Sequence, residues 1–247
     1  MQTKGDRLMK AMIFAAGLGT RLYPLTIDKP KALVEVAGKT LLQMAIEKVS
    51  QAGYHDLVIN VHHFGDMIIE YLEKNNNFGQ NIIISDECGQ LLDTGGGILK
   101  AAPWLDGNEA FLVYNVDVLS NIDLQLFRKY HVEQGGLATL AVRERTTARY
   151  LAFDETMQLS GWRNIKTGDE IISRNMQDCC LMAFSGIQLV DPAIFKLIIE
   201  TDNFPLIPLY LRLAADHRIM GYHDQSTLWM DLGKPDQIIE AEKFILK

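Results

Sequence analysis

The stretch Ala11-Met12-Ile13-Phe14-Ala15-Ala16-Gly17-Leu18-Gly19-Thr20-Arg21-Leu22 decides how the chain is read. Its apolar start, Ala11–Ala15, predicts a short buried strand, and two glycines follow that strand directly. Glycines placed there let backbone N–H groups approach an anion closely, as in other phosphate-cradling loops. No third glycine completes a Gly-x-Gly-x-x-Gly dinucleotide fingerprint, which speaks against a Rossmann dehydrogenase, and no Gly-Lys-Ser/Thr completes a Walker loop. Two glycines by themselves suit a turn without a ligand, so the neighbours must decide.

Downstream, apolar runs alternate with amphipathic stretches as far as residue 143. Leu41–Ala52 carries a helical stripe at Leu41, Leu42, Ala45, Ile46 and Val49. Leu57–Val61, Asn81–Ser85, Ala110–Tyr114 and Leu137–Val142 read as strands, and Asp66–Lys74, Gly96–Ala102 and Asp123–Glu133 as helices. Alternation of near-continuous apolar strands with helices predicts an α/β fold. The expected arrangement is three-layer and Rossmann-like, a mainly parallel sheet with helices on both faces. The pattern changes after residue 145. Tyr150–Ile172 holds two β-like pieces broken at Thr167-Gly168-Asp169, and Leu181–Val190 reads as a strand. Asp191-Pro192 then opens a helix over Ala193–Glu200, with proline suited to a first turn. Pro208–Ala215 reads as a helix, Ile219–His223 as a strand and Pro235–Leu246 as a closing helix. No linker, low-complexity tract or repeat interrupts this, which predicts one α/β domain with an elaborated C-terminal part.

With 247 residues, 48% of them hydrophobic and 22% charged, the chain is long enough for a substantial core and excludes disorder and fibrous repeats. No apolar run approaches the roughly 20 residues that cross a bilayer. The polar start, Met1 to Lys10, lacks the apolar region of a signal peptide. Cys88, Cys179 and Cys180 match neither a disulfide framework nor a zinc pattern, so a reducing cytoplasm is the expected home. A net charge of −7 argues against nucleic-acid binding. That charge is uneven: residues 1–39 sum to +4, leaving −11 for the remaining 208. An uneven surface would suffice to explain this, but it also fits an anion site near the N-terminus.

Arg21 and the cluster Lys29-Pro30-Lys31 supply the cations that a polyphosphate on the glycine loop would need. Ala15-Ala16-Gly17-x-Gly19-Thr20-Arg21-Leu22-x-Pro24-Leu25-Thr26, followed by Lys29-Pro30-Lys31-Ala32-Leu33, resembles the signature of sugar-1-phosphate nucleotidylyltransferases. The resemblance starts at Met9-Lys10-Ala11-Met12, so residues 1–8 are expected to be an extension and residues 9–247 a single nucleotidyltransferase domain. It implies the nucleotide-diphospho-sugar transferase version of the fold, with residues 9–145 for the nucleotide and 146–247 for the sugar.

The resemblance continues in order along the chain. Leu92-Asp93-Thr94-Gly95-Gly96-Gly97 falls where the family has its base-reading loop; exposed backbone and the Thr94 hydroxyl suit a base edge, although Thr94 also suits a helix N-cap. Asn115-Val116-Asp117 stands where the family has Gly-Asp, with Val116 in place of the glycine. Trp229-Met230-Asp231-Leu232-Gly233 resembles a late Trp-x-Asp-x-Gly motif. In isolation Asp231 would read as a capping carboxylate; with Asp117 it is implied as a ligand of Mg²⁺, a hard cation that takes few protein ligands. Phe184-Ser185-Gly186-Ile187 resembles a strand whose glycine faces the hexose, with a plain bulge at Gly186 as the alternative.

The implied site therefore has Arg21 and Lys31 as catalytic residues and Asp117 and Asp231 on the metal. Ala15, Ala16, Gly17, Gly19, Thr20, Glu87, Thr94 and Gly95 take the nucleotide, with Asp86 beside Glu87. Asn115, Gly186 and Arg163 take the sugar, Arg163 standing where relatives carry a Glu-Lys pair. The implied partners are a nucleoside triphosphate and a sugar 1-phosphate, with no nucleic acid and no membrane, in a monomer or small homo-oligomer. Within the family the compact length, the Asp-Thr-Gly-Gly-Gly loop and Phe-Ser-Gly-Ile look most like uridylyltransferases of N-acetylmuramate 1-phosphate in cell-wall recycling. Guanylyltransferases of mannose or heptose 1-phosphate share most of these features. A catalytically idle nucleotide-sugar sensor is the reading from another class; loss of Arg21, Lys31, Asp117 or Asp231 would have favoured it, and all four are present.

Overall fold

The computed structural model describes residues 9–246; the expected extension over residues 1–8 lies outside the described residues. Strand β1 (Lys10–Phe14) sends Ala11 and Ile13 into one core and Met12 into the other. Burial on both sides is what a central parallel strand requires. A small hairpin, β2 (Glu35–Val36) and β3 (Lys39–Thr40), leads to α1 (Leu41–Gln51), β4 (Asp56–Val61), α2 (Gly65–Lys74) and β5 (Asn81–Asp86). Thr40 caps α1 by accepting from the Gln43 N–H at 3.0 Å, and the buried stripe of α1 is the one its 3.6-residue period picks out. Then come α3 (Asp93–Leu105), β6 (Phe111–Asn115), β7 (Val118–Ser120), α4 (Leu124–Gln134) and β8 (Ala138–Arg143).

The second part opens as an antiparallel meander, β9 (Arg149–Phe153), β10 (Leu159–Asn164) and β11 (Glu170–Ile172). The expected break at Thr167-Gly168-Asp169 is the β10–β11 turn, but the stretch holds three strands rather than two. The long β12 (Cys180–Val190), α5 (Leu206–Leu213), β13 (Ile219–His223), β14 (Trp229–Asp231) and α6 (Pro235–Ile245) follow. The helix expected over Ala193–Glu200 is not formed. A short 3-10 turn, Pro192–Lys196, capped by Asp191, takes its place. Leu197, Ile198 and Ile199 are consecutive, so one helical face could not bury them all, and Ile199 is left 76% exposed.

The main sheet runs β11-β10-β9-β12-β6-β1-β4-β5, with β8 and β13 attached through β12. Strands β6, β1, β4 and β5 are parallel, whereas β12 runs antiparallel to β6, β8 and β9. Helices α1, α2, α4 and α6 pack on one face and α3 and α5 on the other, giving the expected three layers. From β1 the chain builds outward to β4 and β5, then returns to place β6 on the other side of β1. At such a reversal open α/β sheets leave a crevice beyond the carboxyl ends of the strands.

Candidate active site

That crevice is a cavity of about 380 Å³. It gathers Ala15, Ala16 and Gly17 after β1 with Lys31, Asn115 and Asp117. The glycine loop is held from two sides. Asn60 Oδ1, at the end of β4, accepts from the Ala15 N–H at 2.8 Å, and the Gly19 carbonyl accepts from Leu22 N–H and Thr26 Oγ1, each at 2.9 Å. Gly19 has φ +66°, and a Cβ there would stand 2.9 Å from Lys31 Cβ, so glycine permits both the turn and its contact with the lysine. Thr20 is exposed and lies outside the residues lining the cavity. Arg21 is 60% exposed, its guanidinium 3.9 Å from Asp231.

Lys31 makes an ion pair with Asp117, with both side chains more than four-fifths buried. Strands β7 and β14 pair antiparallel, and the Leu232 N–H donates to the Asp117 carbonyl at 2.8 Å, so the sheet brings Asp117 and Asp231 side by side. Asp231 Oδ1 is buried and has no hydrogen-bond partner. A buried carboxylate oxygen left unsatisfied is costly, and a cation is the natural complement to it. Among the described residues no group of three or more His, Cys, Asp or Glu forms a metal cluster. Two carboxylates with room for phosphate oxygens therefore fit a hard, sparsely ligated cation such as Mg²⁺. Val116, standing in place of glycine, is buried and donates its N–H to the Phe14 carbonyl at 3.2 Å, tying β6 to β1 at the cavity floor.

The far wall differs from the expected exposed loop. Helix α3 begins at Asp93, so Thr94 and Gly95 belong to its first turn, and Leu92 rather than Thr94 is the N-cap. The Gly95 N–H donates to the Phe204 carbonyl at 2.8 Å, so this donor already has a partner within the fold. Thr94 lines the cavity, but its hydroxyl accepts from the Leu206 N–H at 2.9 Å and faces Asp93. The cause is a contact more than 100 residues away in the chain, with the Asp202–Leu206 segment, which local spacing does not announce. Glu87 is fully buried on the cavity wall; it accepts from Asn60 Nδ2 at 2.8 Å and Leu92 N–H at 3.2 Å. Asp86 turns outward to the Cys88 N–H. Asn60 joins the phosphate side to this wall and escaped the sequence reading; its signal was a lone amide inside the apolar run Leu57–Val61.

Gly186 is a bulge in β12, set close against Asn115. It lies where the β12–β8 register slips, between Phe184 and Gln188, with φ +79°, and a Cβ there would be 2.9 Å from Asn115 Nδ2. Arg163 does not join this group. It pairs with Glu170 across β10–β11, opposite Tyr150, whereas Trp162, one residue earlier, lines a second cavity of about 520 Å³. Arg163 itself is not among the residues that line this cavity. Arg145, just past β8, lines that cavity instead. Its guanidinium lies 4.6 Å from the Trp229 ring centre and donates to the Phe184 carbonyl at 3.1 Å. Burial pulls its pKa down while the Asp231 charge opposes this. Nothing in the local sequence Arg143-Glu144-Arg145 marks one arginine over the other.

Residues 10–153 match the nucleotidyl transferase family, and the chain belongs to that family. An N-acetylmuramate alpha-1-phosphate uridylyltransferase of Caulobacter vibrioides is 35% identical over 94% of this chain and 95% of its own length. A mannose-1-phosphate guanyltransferase of Candida glabrata is 27% identical over 97% of this chain and 65% of its own length. The fold matches a crystal structure of UDP-glucose pyrophosphorylase complexed with UDP-glucose, with a TM-score of 0.77 over 97% of this chain and 99% of that one at 22% identity. Among the described residues no helix is long and apolar enough to cross a membrane.

Proposed function

We propose that the chain transfers a uridylyl group from UTP to N-acetylmuramate 1-phosphate, releasing pyrophosphate. The observation that carries the reaction class is the meeting of Lys31, Asp117, Asp231 and Arg21 beyond the ends of β1 and β6. The choice of substrates rests on the 35% identical relative, matched over nearly its full length. The triphosphate lies on the Ala15–Gly19 backbone, and Lys31 exchanges its Asp117 partner for phosphate oxygens. The sugar-phosphate oxygen attacks the α-phosphorus in line, and Arg21 and Lys31 neutralise charge that builds up in the transition state. Asp117 and Asp231 would hold Mg²⁺, whose charge on the phosphate oxygens is the chemistry that ion supplies when bound. Arg145 replaces Arg163 as the contact for the sugar phosphate. The base lies against the Asn60–Glu87 wall.

The guanyltransferase relative favours GTP with mannose 1-phosphate as a second reading. Pyrophosphate release, with UTP, GTP, dTTP, CTP and ATP crossed against N-acetylmuramate, mannose, glucose and heptose 1-phosphates, separates the two. Turnover only with UTP and the muramate sugar is the expected result. Silence across the grid, with nucleotide sugars still bound by calorimetry, would replace the transferase by a sensor.

A further inference from the structure

The second cavity lies between the sheet face of β9, β10 and β11 and the start of α5. Leu151, Trp162, Ile171 and Leu211 make much of its wall, and among the described residues its only charged lining residues are Arg145 and Arg149. In a chain of net charge −7 this is an unusual balance. Nearby arginines are neutralised: Arg143 pairs with Asp224, Arg163 with Glu170 and Arg174 with Asp154. Among the described residues no carboxylate forms an ion pair with Arg145 or Arg149. Among the described residues the cavity's two arginines thus carry charge that no acidic partner neutralises, unlike these neighbours.

They are not equivalent. Arg145 stacks on Trp229 and feels the Asp231 charge, so it belongs to the end where phosphates react. Arg149 opens β9, opposite Asn164 and two residues before Leu151. Period-two alternation puts it on the same sheet face as Leu151, whose cross-strand neighbour Trp162 lies opposite Ile171. A ring bound with its phosphate at Arg145 would rest on this apolar face and present its far substituents to Arg149. A neutral sugar offers a guanidinium there only hydroxyl or amide oxygens, weaker acceptors than a carboxylate.

We infer that Arg149 selects a sugar 1-phosphate carrying a second anionic group, a carboxylate, and rejects its neutral counterpart. This rests on the proposed transferase reading and on the cavity's charge. A carboxylate and a guanidinium form a charge-assisted, often bidentate pair. At an open site such a pair favours the acidic sugar by roughly tenfold.

The test compares kcat/KM for N-acetylmuramate 1-phosphate and N-acetylglucosamine 1-phosphate, which lacks the carboxylate, with UTP and with GTP. The expected wild-type preference for the acidic sugar is about tenfold or more. Arg149→Ala should cut kcat/KM for the acidic sugar roughly tenfold more than for the neutral one, through KM rather than kcat, and Arg149→Lys should restore part of the difference. Equal use of both sugars by the wild type, or equal losses in Arg149→Ala, would overturn the inference and leave the transferase standing. No turnover with any pair would instead sink the transferase reading. Calorimetry with N-acetylmuramate 1-phosphate then decides: weaker binding to Arg149→Ala supports the selection of a carboxylate, and unchanged binding overturns it.

Discussion

The two parts of the molecule hold their functional groups in different ways. In the first, the groups sit at or just beyond the carboxyl ends of parallel strands, where Ala15–Gly17, Asn60 and Asn115–Asp117 gather. Every parallel strand delivers its successor loop to the same side, so the site follows from the topology. In the second, the cavity is lined by side chains of an antiparallel meander, and neighbours along one strand can differ in their partners. Trp162 lines the cavity while Arg163 faces Glu170. Chemistry at strand ends tolerates small errors of register; chemistry on a strand face does not.

Four experiments probe that contrast. The largest effect is expected at the strand-end carboxylates. Asp117→Asn and Asp231→Asn should each lower Mg²⁺-dependent turnover at least about 10³-fold with unchanged circular dichroism. Unaltered rates in both would remove them from the metal. Next comes acid stability, which reports the packing between α4 and β8. Burial lowers the His131 pKa from 6.5 to about 4. The unfolded chain takes up this proton below pH 6.5 and the folded chain only near 4, so stability is complete above 6.5 and declines as pH falls through that window. The decline should approach about 3 kcal/mol, measured as urea midpoints against pH, and a His131→Phe variant should flatten it. On the strand face, Arg145→Ala should raise KM for the sugar phosphate roughly tenfold or more without matching loss of nucleotide affinity, while Arg163→Ala should change either by less than about threefold. An equal effect of the two would erase the distinction between Arg145, which lines the cavity, and Arg163, which does not. The smallest effect is expected of Gly186→Ala, which forces a side chain to φ +79° beside Asn115 and should cost about 1–2 kcal/mol of thermal stability.

How much was legible follows the same division. The layers, the strand order's consequence for the cleft and the positions of Lys31, Asp117 and Asp231 could be expected because motif and strand end coincide in the chain. The exposed loop expected at Thr94 and Gly95 is instead the first turn of α3, because the Phe204 carbonyl and the Leu206 N–H, more than 100 residues away, bond the Gly95 N–H and the Thr94 hydroxyl. Arg163, expected at the sugar phosphate, pairs with Glu170 instead, because the register of β10 against β11 has no local mark in the sequence. The helix expected at Ala193–Glu200 failed for a reason the sequence did hold, three apolar residues in a row where a one-sided stripe was needed.

Trp229 has a consequence of another kind. Its indole lies 4.6 Å from the Arg145 guanidinium carbon and 5.7 Å from that of Arg143, with the ring N–H bonded to the Ser185 carbonyl. Trp162 borders the same cavity, and the third tryptophan, Trp104, stands on α3 with 39% exposure. Of the three tryptophans, Trp162 thus lines the proposed sugar pocket and Trp229 stacks on an arginine that lines it. An anion that draws Arg145 off the indole should alter its emission, so binding can be followed optically in the unlabelled protein, and a Trp229→Phe variant should silence most of the signal.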